Sequence, residues 1–199
     1  KFNKNIMFTC THTHSGPWAS QVLAAETAAG IKCNDNYIKE LIEKLEKGIG
    51  EAITNTFDAK IGSYIGHCGA EQGVGGNRRE KNGLCDPSVN VLAVKDTKND
   101  VRACLVNYAL HPTYLHAENE LVTADYPAYI RRFLSFAQPK AIAMFAQGTS
   151  GNQSSRYHRV GQDFEEAARA GTTIGVEVNK CIEKMIFTDE ITLTVQNRE

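Results

Sequence analysis

The chain has 199 residues, 42% of them apolar and 23% charged, which suffices for one sizeable core and favours one domain. Its 22 Lys+Arg stand against 23 Asp+Glu for a net charge of -1, so no excess positive field draws it to nucleic acid or anionic lipid. No apolar run approaches the ~20 residues of a bilayer crossing, which excludes a transmembrane segment.

Residues 5–11 (NIMFTCT) form a β-branched, apolar run that breaks off in polar residues, the pattern of a strand delivering a loop that begins at His12. Residues 18–29 are rich in Ala, with Gly30 as a C′ stop, and Ile38, Leu41, Ile42, Leu45, Ile49 and Ile53 then repeat at helical spacing. Two helices are therefore expected after the first strand. On the solvated face of the second, Glu40 with Lys44 and Glu43 with Lys47 stand four apart. Residues 60–67 (KIGSYIGH) alternate as a strand does, and a glycine-rich loop follows from 69 to 83. Residues 89–95 and 101–110 read as a hairpin around the turn TKND, and the second strand ends at His111-Pro112.

After an irregular stretch to Asp125, Pro127 suits the first turn of a helix reaching about Ala137. Residues 140–146 (KAIAMFA) read as a buried strand ending in the polar loop 147–161. Asp163 as N-cap and Glu166 three residues on open the last helix, whose apolar stripe runs Phe164, Ala167, Ala168, Gly171, Ile174, Gly175, Val178, Cys181, Ile182, Met185. Residues 191–195 (ITLTV) form a final strand. The order predicts an α/β fold: a mixed β-sheet flanked by helices, with active-site loops at strand ends. The six cysteines are spread singly without a CxxC pair, as reduced thiols of a cytoplasmic protein are. The N-terminal residues lack a signal-peptide layout, so a secreted origin would require that an upstream signal had been removed.

The sharpest local feature is Thr11-His12-Thr13-His14-Ser15-Gly16-Pro17. Two imidazoles two residues apart on an extended segment point the same way, so both can face one metal, or one can bind while its neighbour handles a proton. The bland alternative is a pair of histidines hydrogen-bonded within a polar loop. His111, at the end of an apolar strand, occupies a position equivalent to His12, and neighbouring strands would bring the two together on one sheet edge. His67, His116 and His158 carry less weight, lying in a strand and in loops. In the loop 147–156 (QGTSGNQSSR), glycines permit close backbone approach and hydroxyls offer nucleophiles. Neither a phosphate loop nor GxGxxG is present, and Arg78 and Arg79 in the glycine-rich loop could stabilise an oxyanion.

Together these segments resemble the neutral/alkaline (non-lysosomal) ceramidase family. THTHSGP at 11–17 is similar to that family's zinc-site signature, Asn77-Arg78 to its Asn-Arg motif, LHPT at 110–113 to its second zinc-histidine segment, and GNQSSR at 151–156 to its Gly-Asp-x-Ser-Pro nucleophile loop. The resemblance implies zinc as cofactor, His12 and His111 as ligands, His14 as a histidine that supports the ligands or handles a proton, Arg78 as an oxyanion or substrate contact, and Ser154 as the nucleophile position. It implies a hydrolase of a linear amide bond, acting on ceramide or another small N-acyl or lipid-like substrate. Ser154 and a zinc-bound water are both open as the attacking group. Asn152 and Ser155 stand where the family has Asp and Pro, and Arg79-Glu80 where it has Ser-Pro. The family's remaining ligands, a Glu and a Tyr, have no match here, so residues 1–199 are read as one domain that is an incomplete segment of a longer catalytic domain, with a C-terminal companion chain supplying them. Two other readings are a metal-dependent amidohydrolase barrel and a non-catalytic binding or assembly subunit without a complete zinc site.

Overall fold

The computed structural model describes residues 6–19, 30, 33–192 and 194. Helix α1 (Asp35–Thr54) starts at Asn34, whose side chain accepts the Tyr37 N–H, and closes with the Asn55 N–H bonded to the Glu51 carbonyl. None of its residues is buried, and Ile42, Leu45 and Ile53 of its apolar stripe are exposed. Glu40 pairs with Lys44 at 3.4 Å as the spacing predicts, whereas Lys47 turns to Glu51 at 3.8 Å in place of Glu43.

Four strands make the main sheet: β1 (Ala59–His67), β3 (Ser88–Asp96), β4 (Val101–Tyr108) and β5 (Ile142–Gln147), in that spatial order. The first two pairings are antiparallel and β4 with β5 is parallel, which makes the sheet mixed. The predicted hairpin is present. Asp96 Oδ1 accepts the N–H groups of Lys98 and Asp100, and Asn99 takes φ 65°. Within the segment expected to be loop lie a 3-10 turn (Ala70–Gln72) and β2 (Gly76–Asn77), which pairs antiparallel with β6 (Gln153–Ser154).

Helices α2 (Tyr126–Ala137) and α3 (Phe164–Lys184) cover one face of the sheet. Period-2 burial of Val89, Val91 and Ala93 in β3 meets the stripe Ala167, Ala170, Ile174, Val178 and Cys181 of α3. Ala170 rather than Ala168 faces the core. The opposite sheet face carries Ile65, Leu92, Ile142 and Met144, all exposed. Three buried tyrosines hold the β4 end and its loops: Tyr108 donates to the Cys68 carbonyl at 2.5 Å, Tyr114 to that of Val74, and Tyr126 to that of Leu110 at 2.7 Å. Each such bond contributes about 1 kcal/mol and, more to the point, leaves no buried phenol unpaired.

Several expectations need correction. Residues 6–11 are not in a strand; Met7 and Phe8 are exposed, so the run has no sheet face against which to bury them. Residues 20–29 of the expected first helix lie outside the described residues, as do 193 and 195 of the expected last strand. Ile191, Thr192 and Thr194 are not in a strand; Thr188 instead bridges Ile61 of the edge strand β1. The described sheet is open, with no barrel, which removes the amidohydrolase-barrel reading. All six cysteines are free, and among the described residues no helix is long and apolar enough to cross a membrane.

Candidate metal centre

His111 follows β4 and is buried, whereas His12 and His14 are exposed on an irregular segment. The structure brings all three together. Nε2 of His12 lies 3.1 Å from Nε2 of His111 and 3.5 Å from Nε2 of His14, and the ring centroids are 4.8, 5.0 and 5.5 Å apart. The route differs from the sequence argument. His12 comes neither from a strand end nor from an extended segment: its φ of 61° is left-handed, a strained state for a residue with a Cβ.

His111 is fixed by its backbone surroundings. Its Nδ1 lies 2.6 Å from the Ser150 carbonyl oxygen and 3.2 Å from that of Gln153, and its own N–H donates to Gln153 at 3.2 Å. Carbonyls only accept, so Nδ1 carries a proton, which leaves Nε2, facing His12, as the nitrogen available to a metal. Burial lowers the pKa of both His12 and His14 below 6.5, and the neighbouring imidazoles and the Arg78 guanidinium lower them further. The neutral form is the one that ligates metal. The three side chains form a group able to hold a metal ion.

The short β2–β6 ladder carries the other expected residues. Gly76 pairs with Ser154 and Asn77 with Gln153, and Arg78 N–H donates to the Asn152 carbonyl at 2.8 Å. Arg78, just beyond β2, is thus held beside β6, which carries Ser154, while the Gln153 carbonyl reaches His111. Ser154 is buried, its Oγ accepting the Arg156 N–H at 3.2 Å, and Arg156 Nη1 donates to the Arg78 carbonyl at 3.1 Å. Asn77 caps its own turn, accepting the N–H groups of Arg79 and Glu80 while its Nδ2 donates to the Leu84 carbonyl. Asn152 donates to the same carbonyl at 2.9 Å, a bond that an aspartate could not donate. His67 and His116 lie elsewhere, beside Glu71 and Glu118, and His158 abuts Gly76.

Sequence reasoning missed the supports. The Ser150 and Gln153 carbonyls carry no sequence signal. Asp125 does: an Asp preceding Tyr-Pro is an N-cap pattern. It is 1% exposed, has φ 59°, and accepts the N–H groups of Tyr126 at 2.7 Å and Leu115 at 3.0 Å. Burial raises its pKa, while those amides and the Arg159 charge oppose the shift.

No family model matches the chain, and no curated protein matches it. Solved structures do, two ceramidases among them. A ceramidase complexed with C2 superposes with a TM-score of 0.74 at 16% identity, over 88% of this chain and 30% of that one. The neutral ceramidase from Pseudomonas aeruginosa gives 0.73 at 17% identity, over 88% and 31% respectively. The chain therefore spans about 30% of the length of these proteins, and over that span it has the neutral ceramidase fold.

Proposed function

We propose that these residues are part of a zinc-dependent amide hydrolase of the neutral ceramidase type, acting on ceramide or another N-acyl substrate. One observation carries the reading: imidazoles 99 residues apart in the chain converge with Nε2 atoms 3.1 Å apart, in a chain with the fold of ceramidases. Two nitrogens at that separation fit one zinc with bonds of about 2.0–2.1 Å and an angle of about 100°, close to tetrahedral. His12 and His111 would hold the ion, which supplies Lewis acidity at the amide carbonyl. His14 stands beside them as a third nitrogen or a proton carrier. Any further ligands are assigned to a C-terminal companion segment or chain.

In this proposal Ser154 Oγ attacks the carbonyl carbon, its proton passes to the leaving amine, and the C–N bond breaks to leave an acyl ester on the serine; water then hydrolyses that ester. His14 Nε2 exchanges the proton, a role suited to a neutral imidazole whose pKa lies below 6.5. Arg78, whose charge reaches His12 and His14, faces the developing oxyanion.

Zinc content and hydrolysis of an N-acylsphingosine, measured on the full-length protein and on His12→Ala and His111→Ala, test the reading. About one zinc per chain, lost in both variants together with hydrolysis, is expected. Full zinc retention by both variants overturns it, and far less than one zinc in the unaltered protein favours a non-catalytic subunit.

A further inference from the structure

The strained His12 segment needs something to hold it against His111, and the structure shows what does. Thr13, between the two exposed imidazoles, donates from Oγ1 to the Thr123 carbonyl at 2.6 Å and accepts the Ser15 N–H at 3.2 Å. Its methyl lies against Gly16, where an added Cβ would stand 3.2 Å from Thr13 Cγ2. Thr123 N–H returns a bond to the Ser15 carbonyl at 2.9 Å, and Asn119 Nδ2 donates to Ser15 Oγ at 3.2 Å. The 12–15 segment is thus tied on three atoms to the loop 119–123.

That loop is tied in turn to the segment bearing His111. Asp125 N–H donates to Thr123 Oγ1 at 3.0 Å, and Asp125 Oδ2 accepts the N–H of Leu115, four residues beyond His111. Thr113 N–H bonds the His111 carbonyl at 2.9 Å. A continuous path of hydrogen bonds therefore runs from Thr13 through Thr123 and Asp125 to the chain that carries His111. We infer that Thr13, gripped by the 119–125 loop, is the positioning residue that registers His12 and His14 against His111. The inference rests on the metal reading of the three imidazoles.

Thr13→Val keeps the shape and removes the hydroxyl; Thr13→Ser restores the hydroxyl without the methyl. Zinc affinity of the full-length protein is measured by competition with a chromophoric chelator, alongside melting of the zinc-free protein. Thr13→Val is expected to weaken zinc binding about 10- to 100-fold, the range for removal of an orienting partner. Melting should be little changed, and Thr13→Ser should bind nearly as the unaltered protein does. Asn119→Ala, which leaves Thr13 in place, should weaken binding less and serves where Thr13→Val does not fold. Ring signals of His12 and His14 in the zinc-free protein should shift in Thr13→Val. Wild-type affinity in Thr13→Val, or failure of Thr13→Ser to rescue, overturns the inference. An unaltered protein that binds no zinc fails the metal reading instead, and unmoved imidazole signals in its Thr13→Val variant then overturn the positioning role as well.

Discussion

An alanine at Gly171 would set its Cβ 2.6 Å from Tyr129 Cβ and 3.2 Å from the Ile130 nitrogen, and closer still to the Tyr126 carbonyl oxygen. Two of those three atoms are α2 backbone, so relief requires the helices to part rather than a side chain to turn. Intrinsic helix propensity favours the alanine by about 1 kcal/mol. Overpacking a tight contact costs about 1–3 kcal/mol, and backbone neighbours place this case at the upper end, for a net loss of about 1–2 kcal/mol. In a chain of this size each kcal/mol moves Tm by about 2–4 °C, so Gly171→Ala should melt about 2–8 °C lower, with a lower urea midpoint and an unchanged slope. Gly48→Ala is the control: nothing lies within 4 Å of its Cβ on exposed α1, and it should raise helix content without lowering Tm. A Tm for Gly171→Ala equal to or above that of the unaltered protein would refute the close α2–α3 seam. The seam matters to the site because Tyr126 directly follows Asp125, the anchor of the 119–125 loop.

On the proposed function, Ser154→Ala should cut amide hydrolysis by the full-length protein about a thousandfold or more while leaving bound metal in place; undiminished turnover would assign the attack to another group. Glu166→Gln breaks a bidentate pair in which Arg169 Nε and Nη2 lie 2.8 and 3.0 Å from the two carboxylate oxygens. With the Arg169 side chain 38% exposed, solvent screening holds the loss to about 1 kcal/mol. Hydrogen bonding from Arg169 lowers the Glu166 pKa below 4.5, so this stabilisation is complete above 4.5 and disappears as pH falls through the folded value. Urea midpoints of the two proteins should accordingly differ at pH 7 and draw together as pH is lowered below 4.5, and a gap that does not narrow with acid would contradict the assignment. Burial pushes the Cys68 and Cys104 thiols up to about 12, so both should resist iodoacetamide at pH 8 in the native protein while exposed Cys10 reacts, as peptide mapping would show.

Where a residue's own neighbours in the chain decide its state, the sequence sufficed. Period-2 burial in β3, the turn at 97–100 capped by Asp96, and the Asp163 start of α3 are local matters of alternation and hydrogen-bonding side chains. THTHSGP and LHPT put His12 and His111 forward as candidates by residue type and by family resemblance. Pairing between distant segments was not legible, because a hydrogen bond from a side chain to a remote carbonyl leaves no periodicity. Residues 6–11 have strand-like composition yet stay outside the sheet, with Met7 and Phe8 exposed, for β-propensity expresses packing on a pleated face rather than an intrinsic backbone preference.

The candidate groups were written in the order of amino acids: three imidazoles, a serine and an arginine on polar, glycine-bearing segments. The convergence of the imidazoles belonged to the fold. The tertiary structure presses a left-handed His12 against His111, supplies the Ser150 and Gln153 carbonyls that set the His111 tautomer, and links the two halves through Thr13, Thr123 and Asp125. Those contacts exist only once the core has closed, because each joins atoms that chain entropy keeps apart until packing offsets it.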